Sequence, residues 1–485
     1  MRTKYVLGIV ALAAMTNISY ADWKYPHGDS ANTGFAKLVT APAARPMRAA
    51  AVGEIASGAG PVVGPDGTVY IGNLYGQVLA FHADGSPAWS RQLPKGQWVT
   101  SSPVVGADGS IYVVAETRFL IQGSTSDYRY ESTLHKFSPG GGWLYQAPFP
   151  QRWTGYPYSS RGDANAAPNI WRSNGVEAII VPAIYGNPVY TSLRLIAFST
   201  SGAVLGDTFV WEPSPGTVTG SGDGFFCGLV PCFYGKVPPP LPCTDFSVCL
   251  PEDTDWPLPG VAIWQSGKGE TPTVMVSNGL QDTVGYTFDP AHGFTERFRV
   301  QDTKRNLASA PVVLPDGHTV VAASGEKLNR LTFTGPNFAP LADSTGQLGE
   351  VAAAPTRLPD GRLIAIELGG GLAAFSGGNV LSAHINLFGQ SIASAAASCN
   401  YLYVASAGAF TTFDVSTLTA VATVQWYGGG RSSPAIGPGG HVYAVAMNTD
   451  HATSIMYVFP PLAPPATSFT GTACAPSALG TSLTK

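Results

Sequence analysis

Along residues 60–93 the apolar positions come in short bursts separated by turn residues, a pattern that calls for strands rather than helices. An apolar run at 61–63 enters the turn pair Asp66-Gly67, and a second run follows at 68–71. After a break at Gly76 come a third run at 77–81, the turn pair Asp84-Gly85 and a fourth run centred on Trp89. Asp-Gly between strand-like runs predicts a tight type I′ hairpin, in which both central residues take positive φ. The stretch reads as a four-stranded antiparallel meander of roughly 40 residues.

The chain repeats this unit. Its opening strand pair returns in eight places, beginning at Gly60, Ser102, Ala167, Gly260, Ala310, Ala354, Ala395 and Ser433. The turn pair is Asp-Gly in four of them, Asn-Gly at 174–175 and Gly-Gly in the last. The second hairpin returns at 134–145, 193–205, 284–298 and 410–426. A period of roughly 40 residues with four strands each predicts a β-propeller, because one meander cannot bury both faces and radial packing lets each sheet cover the next. The expected fold is therefore all-β, a single eight-bladed propeller over 58–460. Residues 22–57 are expected to close the ring by adding a strand to the last blade, which ends at 454–460. A tail follows at 461–485. The largest interruption, 211–259 between blades three and four, carries Cys227, Cys232, Cys243 and Cys249 with a proline run at 238–240 and several aromatics.

Composition agrees with this reading. The chain is 12% charged and 45% hydrophobic, with 57 glycines and 40 prolines, which suits many short strands and turns. Arg2 and Lys4, an apolar run at 5–15, and Ser19 and Ala21 together read as a signal peptide over 1–21, placing the mature chain in the periplasm or outside the cell. The apolar run is short for a membrane span, so no span is expected after cleavage. The net charge is −4, becoming −6 once Arg2 and Lys4 leave, and no long basic run is present; both argue against nucleic acid as a partner. Six cysteines in an exported chain read as disulfides: local pairs within the cluster, and Cys399 with Cys474 tying the tail to the body. A zinc site is the alternative for the cluster, whose spacings suit a zinc knuckle poorly.

The repeats resemble those of the PQQ-like, quinoprotein-type β-propeller family. The resemblance rests on the Ser/Ala-Pro-Val-Val strand with its Asp-Gly turn, on the half-repeat at 79–89, and on the opening run with Trp23, His27, Gly28, Asp29, Thr33 and Gly34. It covers nearly all of the mature chain outside 211–259 and the tail. It implies one of two roles: a non-catalytic scaffold of the outer-membrane assembly type, or a dehydrogenase of alcohols or sugars using PQQ and calcium. The enzymatic branch carries adjacent cysteines near its quinone and a calcium held by an acid and an amide. This chain has no Cys-Cys pair and no matching set. The first reading is thus a binding or scaffolding module for an envelope or extracellular protein or an anionic small molecule. A quinoprotein oxidoreductase is the alternative.

In a propeller the loops entering the innermost strands open onto the axial channel, so residues ahead of each repeat are the candidate site. Those singled out are Trp98, Arg161, Asn165, Lys304, Arg305, Asn306, Glu350, Gln390 and Arg431. The four cations among them would draw an anion to one mouth. Asp163 is the candidate base, and Asp163, Asn165 and Glu350 supply the hard oxygens that calcium prefers. The same charges also suit a plain role in solvating loop ends, for example by pairing Arg161 with Asp163. His27 near Asp29 reads as a base with its orienting acid or as a turn cap. The 211–259 insert reads as a lid over the channel or a docking surface, or simply as a cover for blade four.

Overall fold

The computed structural model describes residues 23–462 and Cys474, except for 121–127, 152–160, 162–163, 165, 187–190, 212–259, 266–270, 278–281, 302–308, 316–318, 325–326, 335–336, 341–347, 350, 352, 377–379 and 448–452. The clustered cysteines, the insert, Asp163, Asn165, Lys304, Arg305, Asn306 and Glu350 lie outside the described residues.

The described residues form eight antiparallel sheets, each built around a four-stranded meander. Sheet one comprises Val62–Val63, Val69–Gly72, Gln77–Phe81 and Pro87–Gln92. The innermost strands of sheets two to eight are Val104–Val105, Asn169–Ser173, Val261–Trp264, Val312–Val313, Thr356–Arg357, Ala396–Ala397 and Ala435–Ile436. Sheet two gains a short extra strand, Gln97–Val99, alongside Ile111–Leu120. The period-two rule explains why the sheets stack. Val62 packs with Val105, Ile111 and Val113 of sheet two, while Val63 packs with Ala435, Ile436 and Val442 of sheet eight. Further apolar clusters fill the gaps between the sheets that follow one another in sequence. The architecture is a β-propeller.

The turns correct one expectation. Asp66 does not adopt positive φ; only Gly67 does, at 83°. Gly67 N donates to Gly64 O and Gly64 N to Thr68 O, so Pro65 and Asp66 form a type I turn and Gly67 supplies a bulge. Asp66 holds this form because its carboxylate accepts from the Thr68 amide at 3.0 Å and the Thr68 hydroxyl at 2.9 Å. The same arrangement returns at Asp108 with Ser110. Positive φ at both central positions occurs at Asn174 and Gly175, where asparagine tolerates the left-handed region.

The N-terminal segment does two different things. Arg48–Gly53 pairs antiparallel with Ser454–Phe459 and becomes the outermost strand of sheet eight. Residues 23–36 form no strand; they run around the axis as a strap. Trp23 O accepts from Val63 N of sheet one at 2.8 Å, and Lys24 O from Val105 N of sheet two at 2.9 Å. Ser30 O accepts from Ile263 N of sheet four at 2.6 Å, and Ala31 O from Val313 N of sheet five at 2.9 Å. Thr33 O accepts from Arg357 N of sheet six at 2.8 Å, and Gly34 O from Ala397 N of sheet seven at 2.7 Å. Sheet three joins through Asn169 Nδ2, which donates to Ser30 O at 2.9 Å, and through Arg172, which donates to the Tyr25 hydroxyl at 2.8 Å. An innermost strand leaves amides facing the channel, and the strap carbonyls satisfy them in ring order.

Candidate functional site

The axis holds a cavity of about 100 Å3. Pro26, His27 and Asn32 of the strap form one end. The wall is built from the residues that lead into the innermost strands, among them Ala59, Ser101, Ser102, Ala354, Ser394 and Ser433. Small residues stand here because the segments leading into the innermost strands converge on one axis. A Cβ on Gly60, for instance, would come within 2.7 Å of Ser433 O. Two of the serines tie neighbouring sheets together: Ser102 Oγ accepts from Gly60 N at 2.7 Å, and Ser433 Oγ from Ser394 N at 2.9 Å.

His27 is 5% exposed. Its Nδ1 lies 2.6 Å from Asn32 O, a distance that puts the proton on this nitrogen and makes it the donor. Nε2 faces the Thr356 hydroxyl and Ala395 O, each at 3.2 Å. Burial lowers its pKa to about 4, so the imidazole is neutral near pH 7. Asp29 does not orient it. The Asp29 carboxylate accepts instead from Thr33 N at 3.0 Å and Thr33 Oγ1 at 2.5 Å, while burial pushes its pKa up. Both side chains fold the strap, which is the turn-capping role. Gly34 is required beside them: its φ is +64°, and a Cβ would sit 2.5 Å from His27 Nε2.

The described candidates from the pre-strand loops sit elsewhere. Arg161 donates to Phe149 O at 3.0 Å and lies 3.9 Å from Glu131, at the edge of sheet two. Arg431 donates to Ser57 Oγ at 2.9 Å from Nη2, beside a separate cavity of about 10 Å3 that Glu54 also lines. Trp98 lies on the extra strand of sheet two, opposite Glu116. Gln390 contributes its carbonyl to Ala407 N at 2.8 Å. The described lining of the axial cavity is neutral: hydroxyls, amides, an uncharged imidazole and main chain. It supplies no cation for the carboxylates of a quinone and no carboxylate for calcium, so the described residues do not fit that pair. Among the described residues no group of three or more His, Cys, Asp or Glu side chains is placed to hold a metal. Cys399 and Cys474 form a disulfide with Cα atoms 5.4 Å apart. Among the described residues no helix is long and apolar enough to cross a membrane.

Reading the sequence for charge missed Asn32, Ser101 and Ser394. The signal that pointed to them was the repeat boundary itself, where small residues precede each Pro-Val-Val, together with the opening run that matched no repeat.

No family model matches the chain, and no curated protein matches it. Among solved structures, BamB from Moraxella catarrhalis is similar with a TM-score of 0.52 at 13% identity, over 85% of this chain and 97% of that one. Sqt1 from Saccharomyces cerevisiae is similar with a TM-score of 0.55 at 10% identity, over 86% of this chain and all of that one. Likeness at this identity establishes the fold alone.

Proposed function

We propose that this chain is an exported PQQ-like propeller that works as a binding or scaffolding module through its channel mouth and the 211–259 insert. The observation that carries this reading is the state of the axis. One end is filled by a strap whose His27 and Asp29 side chains are spent on the fold, and the described wall beyond it holds no paired acid and base. Export is supported by the N-terminal Arg2 and Lys4 with their apolar run, and by the Cys399–Cys474 bond, which suits an oxidising compartment. The likeness to BamB is a likeness of fold and is compatible with a scaffold.

The test has two arms on the mature protein. Affinity capture from envelope extracts, repeated with 215–255 deleted, is expected to recover a partner that the deletion weakens. Titration with PQQ and calcium is expected to give no quinone absorbance on the protein and no dye reduction with alcohols or sugars. Stoichiometric quinone binding with turnover would overturn the proposal in favour of a quinoprotein oxidoreductase.

A further inference from the structure

The axial cavity has unspent hydrogen-bonding capacity of a particular kind. Asn32 is 6% exposed, and its Nδ2 donates to Val261 O and Pro311 O, each at 3.2 Å. Both partners are carbonyls, so the amide orientation is fixed, and Oδ1 is the atom left without a protein donor among the described residues. Ser101 is 2% exposed; among the described residues its hydroxyl has no partner, and it is closed off from the cavity. Ser394 is 7% exposed; its amide is held by Ser433, while its own hydroxyl is engaged by no described group. Asn32 Oδ1 and the Ser394 hydroxyl line the cavity with hydrogen-bonding capacity that no described group uses, so these two groups are expected to meet something inside it.

We infer that the axial cavity binds a small uncharged, hydroxyl-rich molecule, a polyol or a fragment of a sugar, through Asn32 Oδ1 and the Ser394 hydroxyl. This deepens the binding-module reading and rests on it. The chemistry selects against an anion. Asn32 Oδ1 can only accept, so it repels a carboxylate, and no cation in the described wall offsets that. It selects equally against a cation, since no described carboxylate lines the cavity. A hydroxyl donates to Asn32 Oδ1 and both donates to and accepts from serine, which matches the groups present. Size agrees. At roughly 10–15 Å3 of free volume per water, a cavity of about 100 Å3 holds roughly seven to ten waters, comparable to the non-hydrogen atoms of a three- to five-carbon polyol.

The test is calorimetry on the full mature chain with pairs matched in skeleton and differing in charge: glycerol against glycerate, and xylitol against xylonate. The polyol of each pair is expected to bind at least tenfold more tightly than its acid, with little dependence on salt. Ser394→Ala is expected to weaken polyol binding about threefold to tenfold while the melting temperature holds. Tighter or equal binding of the acids would overturn the inference, as would binding that ignores Ser394→Ala. Failure of both polyols and both acids to bind would also overturn it, leaving a cavity that holds only water. Those outcomes leave the scaffold reading standing if envelope capture still recovers a partner; loss of that capture as well would remove both.

Discussion

The N-terminal segment closes the propeller twice, by different physics. Arg48–Gly53 closes it as a strand, with a ladder to Ser454–Phe459 and Val52 buried between sheets eight and one. The strap at 23–36 closes it as a thread, touching sheets one, two, four, five, six and seven through one carbonyl each. A ladder concentrates its stabilisation at one joint, whereas the thread spreads it around the ring. Damage to the strand should therefore stay local, and damage to the strap should be felt in sheets that never meet one another.

The largest effect expected is at Trp23. Its ring is 1% exposed and packs under Gly28, so Trp23→Ala should cost about 3–5 kcal/mol. Gly34→Ala should add backbone strain at positive φ to the collision with His27, for about 1–3 kcal/mol. Val52→Ala removes two buried methyl groups, for about 1–2 kcal/mol. Amide hydrogen exchange distinguishes the two modes of closure. Trp23→Ala should lower protection at Val63, Val105, Ile263, Val313, Arg357 and Ala397 together. Val52→Ala should lower it mainly along Ser454–Phe459. Equal, ring-wide loss in both variants would show that the strap adds nothing the strand does not.

The two most deeply buried histidines sharpen the comparison in solution, since one belongs to the strap and one to a sheet. Burial lowers both His27 and His135 to about 4. In each case the unfolded chain binds a proton between about 6.5 and 4 that the folded chain does not. The stability each contributes is therefore whole above pH 6.5 and is lost as pH falls toward 4, by about 3 kcal/mol per histidine. Asp29 runs the other way: its raised pKa favours the fold in acid and loses that contribution as pH rises above the ordinary carboxylate value. The histidines differ in what they give at neutral pH. His27 donates to Asn32 O, whereas among the described residues neither nitrogen of His135 has a partner, and its ring lies against Phe137 and Trp143. His135→Phe should match or exceed the parent at pH 7 and flatten the slope below pH 6 by about one proton. His27→Ala should flatten the slope equally but lose about 2 kcal/mol or more at pH 7. Urea midpoints measured from pH 7.5 to 4.5 check both, and a destabilised His135→Phe at pH 7 would remove the contrast.

The same contrast explains what could be read from the sequence. Sheet one was legible because Val62, Val63, Val69 and Ile71 must alternate between two neighbours, and that alternation is written in side chains. The turn pair at 66–67 was legible as a turn, yet its type was not, because the Asp66 carboxylate reaching Thr68 decides between two loops that share the same residues. The strap was legible as an opening run outside the repeats, but not as a tie between sheets. It binds through main-chain carbonyls, which every residue owns, so nothing in its side chains advertises the ring of amides it meets. The two described arginines among the charged candidates stand away from the axial cavity. Arg161 and Arg431 stand in the expected loops, but long side chains find the nearest carbonyl or hydroxyl, here Phe149 O and Ser57 Oγ, and leave the cavity to Ser, Ala and Gly.

The smallest effect tests whether the inner ring needs the strap at all. Ser102 and Ser433 join adjacent sheets directly by accepting from Gly60 N and Ser394 N. Ala167, Ala310 and Ala354, which begin three other repeats, carry no hydroxyl to do so. If the strap is the general tie and the serines a local supplement, Ser102→Ala should cost only about 1 kcal/mol. Its effect on exchange should be confined to Gly60 and its neighbours, and it should be additive with Val52→Ala. It should be more than additive with Trp23→Ala, because the strap carbonyl of Trp23 and the hydroxyl of Ser102 hold the same innermost strand at Val63 and Gly60. A double-mutant cycle on urea midpoints measures this coupling. A coupling of zero with Trp23 would mean that the strap and the serine clamps hold the ring independently.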